Sequence, residues 1–181
     1  MATLDAYLCI VSKREVRQYS DRPIAEDVLE RILQAGRATG SSRNRQQWRL
    51  VVVRGQETLA QVADTVAAPE NVRGCQLAIA VVLENQSPWD GGRLAQNLML
   101  AAWSLGVGTC PNTPTPPNRD ECKRLLGLPD DADIVTILSC GYPAEPVPRG
   151  SDADAILARI DRKPLSEIVR FVGEGWVMSD G

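Results

Sequence analysis

Apolar residues along this chain recur at helical spacing in several segments. The apolar positions of "IAEDVLERILQAGRA" (residues 24–38) repeat every three or four residues behind an acidic first turn, and this pattern predicts an amphipathic helix. The wide apolar face of "GGRLAQNLMLAAWSLGVG" (residues 91–108) predicts a central helix that is largely buried. Shorter helices are predicted for residues 3–11, for residues 56–66 and for "RDECKRLLG", which Asn118 would cap.

Other apolar segments predict strands. "WRLVVV" (residues 48–53) reads as a strand, while "QLAIAVVLE" (76–84) and "DIVTILSCGY" (133–142) have the Val, Ile and Leu content of strands buried on both faces. A brief strand at residues 107–111 leads into the proline-rich loop "PNTPTPPN". Residues 144–154 lack a regular pattern, and the tail "RKPLSEIVRFV" resumes apolar character only at its end. Because no internal repeat or long linker divides the chain, we expect a single domain over residues 1–181.

Composition narrows the possible chemistry. With 44% hydrophobic and 24% charged residues, the 181-residue chain has the composition of a protein with a packed core. The five cysteines lie far apart without a CxxC pair, which favours buried thiols over disulfides or a zinc site. The chain has no histidine, so Ser-His-Asp and Cys-His catalysis and every histidine-containing metal site are excluded. An enzyme of this composition would take its chemistry from a cofactor.

Charge and hydropathy bear on location and partners. No apolar run approaches the length of a membrane span and the N-terminus lacks the order of a signal peptide, so we expect a cytoplasmic protein. Residues 1–54 carry ten basic and six acidic side chains, whereas the rest of the chain is acidic and the net charge is −3. Seventeen of the twenty basic residues are Arg, which suits phosphate or carboxylate binding but equally reflects a biased genome. An acidic chain with 4% aromatic residues is a poor candidate for nucleic-acid binding.

Three polar clusters are candidates for a ligand site. A phosphate needs cationic donors that converge from different parts of a chain, and a polyol or heteroaromatic ring needs neutral donors and acceptors beside them. Each cluster taken alone also fits a solvated loop, a turn or a surface charge. The clusters are Lys13, Arg14 and Arg17; Ser41, Ser42, Asn44 and Gln46; and Arg162 with Lys163.

Longer motifs carry a family resemblance. The segment "KREVRQYSDRPIAEDVLERILQAGRATGSSRNRQQWRLVVV" (residues 13–53) resembles the opening motifs of the FMN-dependent nitroreductase family. "DGGRLAQNLMLAAWSLGVGTC", "LLGLPDDADIVTILSCGYPAE" and "RKPLSEIV" are similar to later family motifs in the same order. The resemblance implies an α+β fold, an αβα sandwich around a central, mostly antiparallel sheet. It also implies an intertwined homodimer with FMN at the subunit interface, in which the segment after about residue 164 exchanges onto the partner's sheet.

The resemblance assigns roles to the polar clusters. Lys13, Arg14, Arg17 and Arg162 would hold the phosphate and ribityl chain of FMN. Ser41, Ser42 and Asn44, with Gln46 as a further member, would come from the other subunit and meet the flavin ring and ribityl oxygens. Arg73 is the candidate for a cation near N1 and C2=O of the flavin, and a plain surface charge is the alternative. Trp48 would anchor the strand that positions the serine-rich loop.

The implied activity is NAD(P)H-dependent reduction of nitroaromatics, quinones or similar electron-poor acceptors, with both substrates using one face of FMN in turn and hence ping-pong kinetics. The chain departs from the family pattern at Glu15, which replaces a serine, and at Gly40 and Gln47, which replace prolines. A carboxylate at Glu15 would repel the phosphate unless Arg14 or Arg17 pairs with it, and Gly40 would loosen the loop. A flavin-binding or flavin-free sensor or interaction module, and a relative that fragments or dehalogenates its substrate, remain the alternatives.

Overall fold

Four strands form one sheet in a computed structural model that describes residues 5–84, 88–147 and 152–173. The strands are β1 (Trp48–Val53), β2 (Leu77–Glu84), β3 (Gly108–Asn112) and β4 (Ala132–Gly141). Their order in the sheet is β1-β2-β4-β3, and each neighbouring pair is antiparallel. The predicted strands are therefore confirmed, and so is the α+β class with an antiparallel sheet.

Helices cover both faces of this sheet. They are α1 (Ala6–Ser12), α2 (Glu26–Arg37), α3 (Gln56–Ala63), α4 (Pro69–Arg73), α5 (Pro88–Ser104), α6 (Arg119–Leu125), α7 (Ala153–Leu157) and α8 (Leu165–Ile168). Buried residues of α2 and α5 form a core with one face of the sheet. Buried residues of α3, α4 and α6 form a second core on the other face. The result is the αβα sandwich that the resemblance implied.

Strand β2 shows why its sequence has no polar face. Ile79 and Val81 point into the core beneath α2 and α5, whereas Ala78, Ala80 and Val82 point into the core beneath α3 and α6. Successive side chains of a strand lie on opposite faces, so a strand between two helical layers must be apolar at every position. Each of these five side chains is fully buried.

Helices α2 and α5 approach each other closely at Gly36. A Cβ atom at this position would lie 2.7 Å from Leu98 Cδ2, closer than carbon atoms normally pack. The absence of a side chain at Gly36 therefore brings α2 against the central helix. Trp48 packs against the same core at the start of β1, in agreement with its predicted anchoring role.

Several local predictions need correction. The helix predicted for residues 56–66 ends at Ala63, because the chain turns where Thr65 Oγ1 donates to Val62 O (2.7 Å). Helix α4 follows and was not predicted. Asn118 occupies the cap position of α6 but makes no capping hydrogen bond, since its amide donates to Asp64 O (3.3 Å). Helix α7 begins inside the segment predicted to be irregular, of which residues 148–151 lie outside the described chain.

The C-terminal segment is exposed throughout its described part. Every residue from 161 to 173 is exposed, including the apolar side chains of Leu165 (60%), Ile168 (62%) and Val172 (90%). None of these three side chains is buried by the described part of the chain. Across the described residues, no helix has the length and apolar character that crossing a membrane requires.

Candidate functional site

The segment that follows α1 runs alongside the edge strand β3. Glu15 forms a parallel bridge with Thr109, and the Val16 amide donates to Thr109 O (3.1 Å). Val16 is buried against Gly108, where a Cβ atom would lie 2.6 Å from the valine side chain. Because side chains alternate along an extended backbone, the inward position of Val16 turns the residues on either side of it outward. Glu15 and Arg17 consequently share one surface.

Hydrogen bonds fix both ends of this segment. At one end, the Trp103 indole of α5 donates to Ser12 Oγ (3.0 Å). At the other end, the Tyr19 hydroxyl donates to Val16 O (2.5 Å) and lies 2.8 Å from Ser139 Oγ of β4. Burial strongly raises the pKa of the Tyr19 hydroxyl, so it stays a neutral hydrogen-bond donor.

A cavity of about 680 Å³ opens between this segment and the chain that follows α7. Its walls include apolar side chains of α1 and α7, among them Ile10 and Leu157. Most of its other lining residues are charged, and we refer to it as the cationic cavity. The cations are Lys13, Arg14, Arg17, Arg159 and Arg162, and the carboxylates are Glu15 and Asp161.

The cationic cavity brings together predicted site residues from both ends of the chain. Lys13, Arg14 and Arg17 meet Arg162 across it, although almost 150 residues separate the two groups in sequence. Lys163, which the sequence grouped with Arg162, does not line the cavity and lies 3.9 Å from Glu167 in an ion pair. Arg159 and Asp161 were not among the predicted site residues, because they lie between the segment predicted to be irregular (144–154) and the motif that begins at Arg162. The recurrence of a basic residue three positions before Arg162 is the signal that could have revealed Arg159.

Lys13 is the partner of the Glu15 carboxylate. The Lys13 side chain is only 9% exposed, forms an ion pair with Glu15 and lies 3.6 Å from Met99 Sδ. The sequence left open whether Arg14 or Arg17 pairs with Glu15, and the structure gives Lys13 as the partner. Lys13 and Glu15 are two residues apart on extended backbone and extend side by side, whereas Arg14 turns back to donate to Val11 O (3.0 Å) and Lys13 O (2.9 Å).

The serine-rich loop lies between α2 and β1 and has unusual backbone angles. Arg43, Asn44 and Gln46 have positive φ values of 55°, 54° and 50°, which residues other than glycine seldom adopt. The backbone N–H of Gln46 donates to Ser41 Oγ (2.9 Å), and the side-chain Nε2 of Gln46 donates to Asn44 Oδ1 (2.9 Å). Ser42 belongs to a short 3-10 turn within this loop. Such concentrated strain is typical of ligand-contacting segments.

Within one chain, the serine-rich loop does not line the cationic cavity. Its base rests on α5, where Asn97 Nδ2 donates to Thr39 Oγ1 (2.8 Å). Arg93 lies over Gly40, and a Cβ atom on this glycine would come within 2.9 Å of Arg93 Nη2. The sequence suggested that Gly40 loosens the loop, but the structure shows that it also makes room for this guanidinium.

Arg73 lies at the end of α4, away from the lining of the cationic cavity. Its guanidinium is 2.6 Å from Asp64 and 3.6 Å from Glu70. The hydrogen bond to the Asp64 carboxylate raises the pKa of Arg73. The structure thus does not bring Arg73 together with the cationic cluster.

Comparison with known proteins identifies the family of this chain. The model of the nitroreductase family matches residues 10–78 and 80–142. The chain belongs to the nitroreductase family. Among its relatives, an Archaeoglobus fulgidus protein assigned as an NADH dehydrogenase/NAD(P)H nitroreductase is 29% identical over 146 residues, which cover 75% of this chain and 84% of the relative.

Solved structures of nitroreductases share the fold. Nitroreductase A of Vibrio parahaemolyticus superposes with a TM-score of 0.79 at 25% identity, covering 98% of this chain and 79% of that chain. A Desulfovibrio desulfuricans protein assigned as a nitroreductase, crystallised in complex with FMN, superposes with a TM-score of 0.78 at 24% identity, covering 96% of this chain and 100% of that chain. The family and fold expected from the motifs are therefore confirmed.

Proposed function

We propose that this nitroreductase-family protein is an NAD(P)H-dependent FMN oxidoreductase that reduces electron-poor acceptors such as nitroaromatics and quinones. The observation that carries the proposal is the convergence of Lys13, Arg17 and Arg162 on one cavity. The oxidoreductase chemistry of the nitroreductase family, the NAD(P)H in the name of the Archaeoglobus relative and the FMN in the Desulfovibrio structure support it.

The chemistry of the cavity fits the phosphate end of FMN. Four guanidinium groups surround the cavity, and this planar fork is the side chain best suited to two parallel hydrogen bonds with a phosphate. The five cations outnumber the two carboxylates, so the cavity favours an anion. We therefore assign Lys13, Arg14, Arg17 and Arg162 to the phosphate and the adjoining ribityl chain.

The serine-rich loop would complete the site from a second copy of the chain. Ser42, Asn44 and Gln46 are exposed, and the loop is separate from the lining of its own chain's cavity. Hydroxyl and amide groups are the donors and acceptors that a flavin ring and its polyol chain require. In this proposal, Ser41, Ser42, Asn44 and Gln46 of one subunit contact the flavin that is held by the cations of the other.

Exposed apolar side chains support the dimer. Leu165, Ile168 and Val172 extend from the C-terminal segment, and Tyr7 and Ile10 of α1 are 56% and 55% exposed. Burying one such side chain contributes roughly 1.5–3 kcal/mol. We propose that the segment after Pro164 packs on the partner's sheet, so that two sites form only in the homodimer.

FMN, when bound, supplies the two-electron redox chemistry that these side chains lack. The cations would hold its phosphate, and the serine-rich loop of the partner would hold its ring, where NAD(P)H and the acceptor would bind in turn. Sharing one site predicts ping-pong kinetics. Arg73 remains a prediction for the cation near N1 and C2=O of the flavin.

The proposal is tested on the purified protein. We expect a yellow protein that releases FMN on denaturation, loses its visible absorbance anaerobically when NADH or NADPH is added, and recovers it when a quinone follows. A colourless protein that takes up no added FMN would contradict the proposal.

The sensor or interaction module stays a second candidate, because the Lys13–Glu15 ion pair occupies one of the cations expected to bind phosphate. That role predicts either a protein that takes up no flavin or bound flavin that neither nicotinamide reduces. The oxidoreductase predicts reduction by at least one of the two nicotinamides.

A further inference from the structure

The Lys13–Glu15 ion pair lies inside the cationic cavity. The Lys13 side chain is 9% exposed, whereas that of Glu15 is 37% exposed. Its ammonium group is held between the Glu15 carboxylate and Met99 Sδ (3.6 Å). An ammonium that already has a carboxylate partner attracts a second anion far less than a free one does.

The backbone fixes Glu15 in this position. Its parallel bridge to Thr109 and the Val16 to Thr109 hydrogen bond (3.1 Å) tie the segment to β3. The buried Val16 side chain prevents the segment from turning over. The carboxylate therefore faces the cavity as a built-in competitor for any phosphate that binds there.

Three other charged side chains of the cavity, Arg14, Arg162 and Asp161, are not joined in an ion pair within the described chain as Lys13 and Glu15 are. Arg14 donates to backbone carbonyls at the end of α1, and Arg162 donates to Asp161 O (2.7 Å), so both guanidinium groups keep their net charge. Asp161, the second carboxylate of the lining, forms no ion pair with another described residue. Glu15 is thus the carboxylate that neutralises a cation of the cavity directly.

We propose that Glu15 is a specificity-determining residue that weakens the contribution of the phosphate to flavin binding. This inference rests on the proposed function and deepens it. Glu15 withdraws Lys13 from the phosphate and repels the phosphate dianion itself. The protein accordingly prefers FMN over riboflavin by less than the four guanidinium groups of the cavity would give without Glu15.

The test compares FMN with riboflavin, which lacks only the phosphate. Dissociation constants are measured by flavin fluorescence for the wild type and for Glu15→Ser, Glu15→Gln and Asp161→Asn. Each replacement removes one negative charge from the same cavity. Glu15→Gln preserves the size of the side chain and covers the case in which Glu15→Ser does not fold.

We expect both Glu15 variants to bind FMN about 10- to 100-fold more tightly than the wild type, the range of a charge-assisted hydrogen bond. Riboflavin affinity should stay within about twofold, because riboflavin has no charge for Glu15 to repel. Asp161→Asn should improve FMN binding by at most about threefold, because it does not release Lys13 and solvent screens its charge.

The possible failures are distinguishable. Equal FMN affinity in the wild type and in both Glu15 variants would overturn the role of Glu15 and leave the proposed function intact. Equal gains from Glu15→Gln and Asp161→Asn would also overturn it, because net charge rather than the ion pair would then set the affinity. Absence of FMN binding in every variant would contradict the proposed function, and this inference with it.

Discussion

The Trp103 indole donates a 3.0 Å hydrogen bond to Ser12 Oγ, and both side chains are buried. This bond joins the last residue of α1 to the central helix α5. Lys13 is the next residue along the chain and the first cation of the cavity. The position of the cationic cluster therefore depends on a contact within the core.

Loss of this hydrogen bond should lower the stability of the protein. Trp103→Phe and Ser12→Ala each remove one partner, and we expect each to lower the free energy of unfolding by about 1–3 kcal/mol. In the double variant the two effects should fall short of their sum by about 1 kcal/mol, because the second change has no bond left to break. Urea unfolding of the four proteins measures this coupling, and strictly additive effects would show that the bond contributes nothing.

Backbone strain in the serine-rich loop makes a separate prediction. Arg43 has φ 55° and ψ 23°, a conformation that glycine adopts freely and β-branched residues strongly avoid. Arg43→Gly should therefore leave stability unchanged or raise it by up to about 1 kcal/mol, whereas Arg43→Val should lower it by about 1–2 kcal/mol. Thermal unfolding of the two variants gives the comparison. Equal stability of the glycine and valine variants would mean that the loop relaxes in solution.

The exposed C-terminal segment should control the oligomeric state. Ile168 is 62% exposed on α8, and a charge at this position would be buried unpaired in a dimer. We expect Ile168→Asp to shift the protein toward monomer in analytical ultracentrifugation. Glu167→Ala alters the neighbouring exposed residue, whose ion pair with Lys163 is long at 3.9 Å, and should leave the dimer intact. A monomeric wild type, or a dimeric Ile168→Asp protein, would refute the proposed role of this segment.

A buried thiol predicts how stability changes in alkali. Burial raises the pKa of the Cys75 thiol to about 11. The unfolded chain loses the thiol proton first, so the unfolded state binds fewer protons and stability falls as pH rises from about 9 toward 11. Between about pH 8 and 10.5 the wild type should lose about 2 kcal/mol more stability than Cys75→Ala. Parallel losses in urea unfolding under reducing conditions would show that Cys75 is accessible to water in the folded protein.

The sequence predicted those elements whose pattern is long and unambiguous. Strand β2, apolar from Leu77 to Leu83, and the central helix α5 lie where expected, because a run of buried apolar residues leaves few alternatives. The five-residue helices α4 and α7 were missed, since one turn and a half contains too few positions to establish a helical period. The left-handed angles of Arg43 and Gln46 were also invisible, because neither position is a glycine.

The candidate site was predictable only in part. The family motifs pointed to Lys13, Arg17 and Arg162, but spacing in sequence cannot show that residues almost 150 positions apart share one cavity. The pairing of Glu15 with Lys13 rather than with an arginine depends on the extended backbone beside β3, which the sequence did not reveal.

The central claim is that the cationic cavity binds the phosphate end of FMN. The most direct test is titration of the protein with FMN and with riboflavin, for the wild type, Arg17→Ala, Arg162→Ala and the control Arg37→Ala, which removes an exposed arginine at the end of α2. We predict that Arg17→Ala and Arg162→Ala each weaken FMN binding by about 10- to 100-fold, that riboflavin binding changes little, and that Arg37→Ala matches the wild type. Unchanged FMN affinity in both cavity variants would contradict the account.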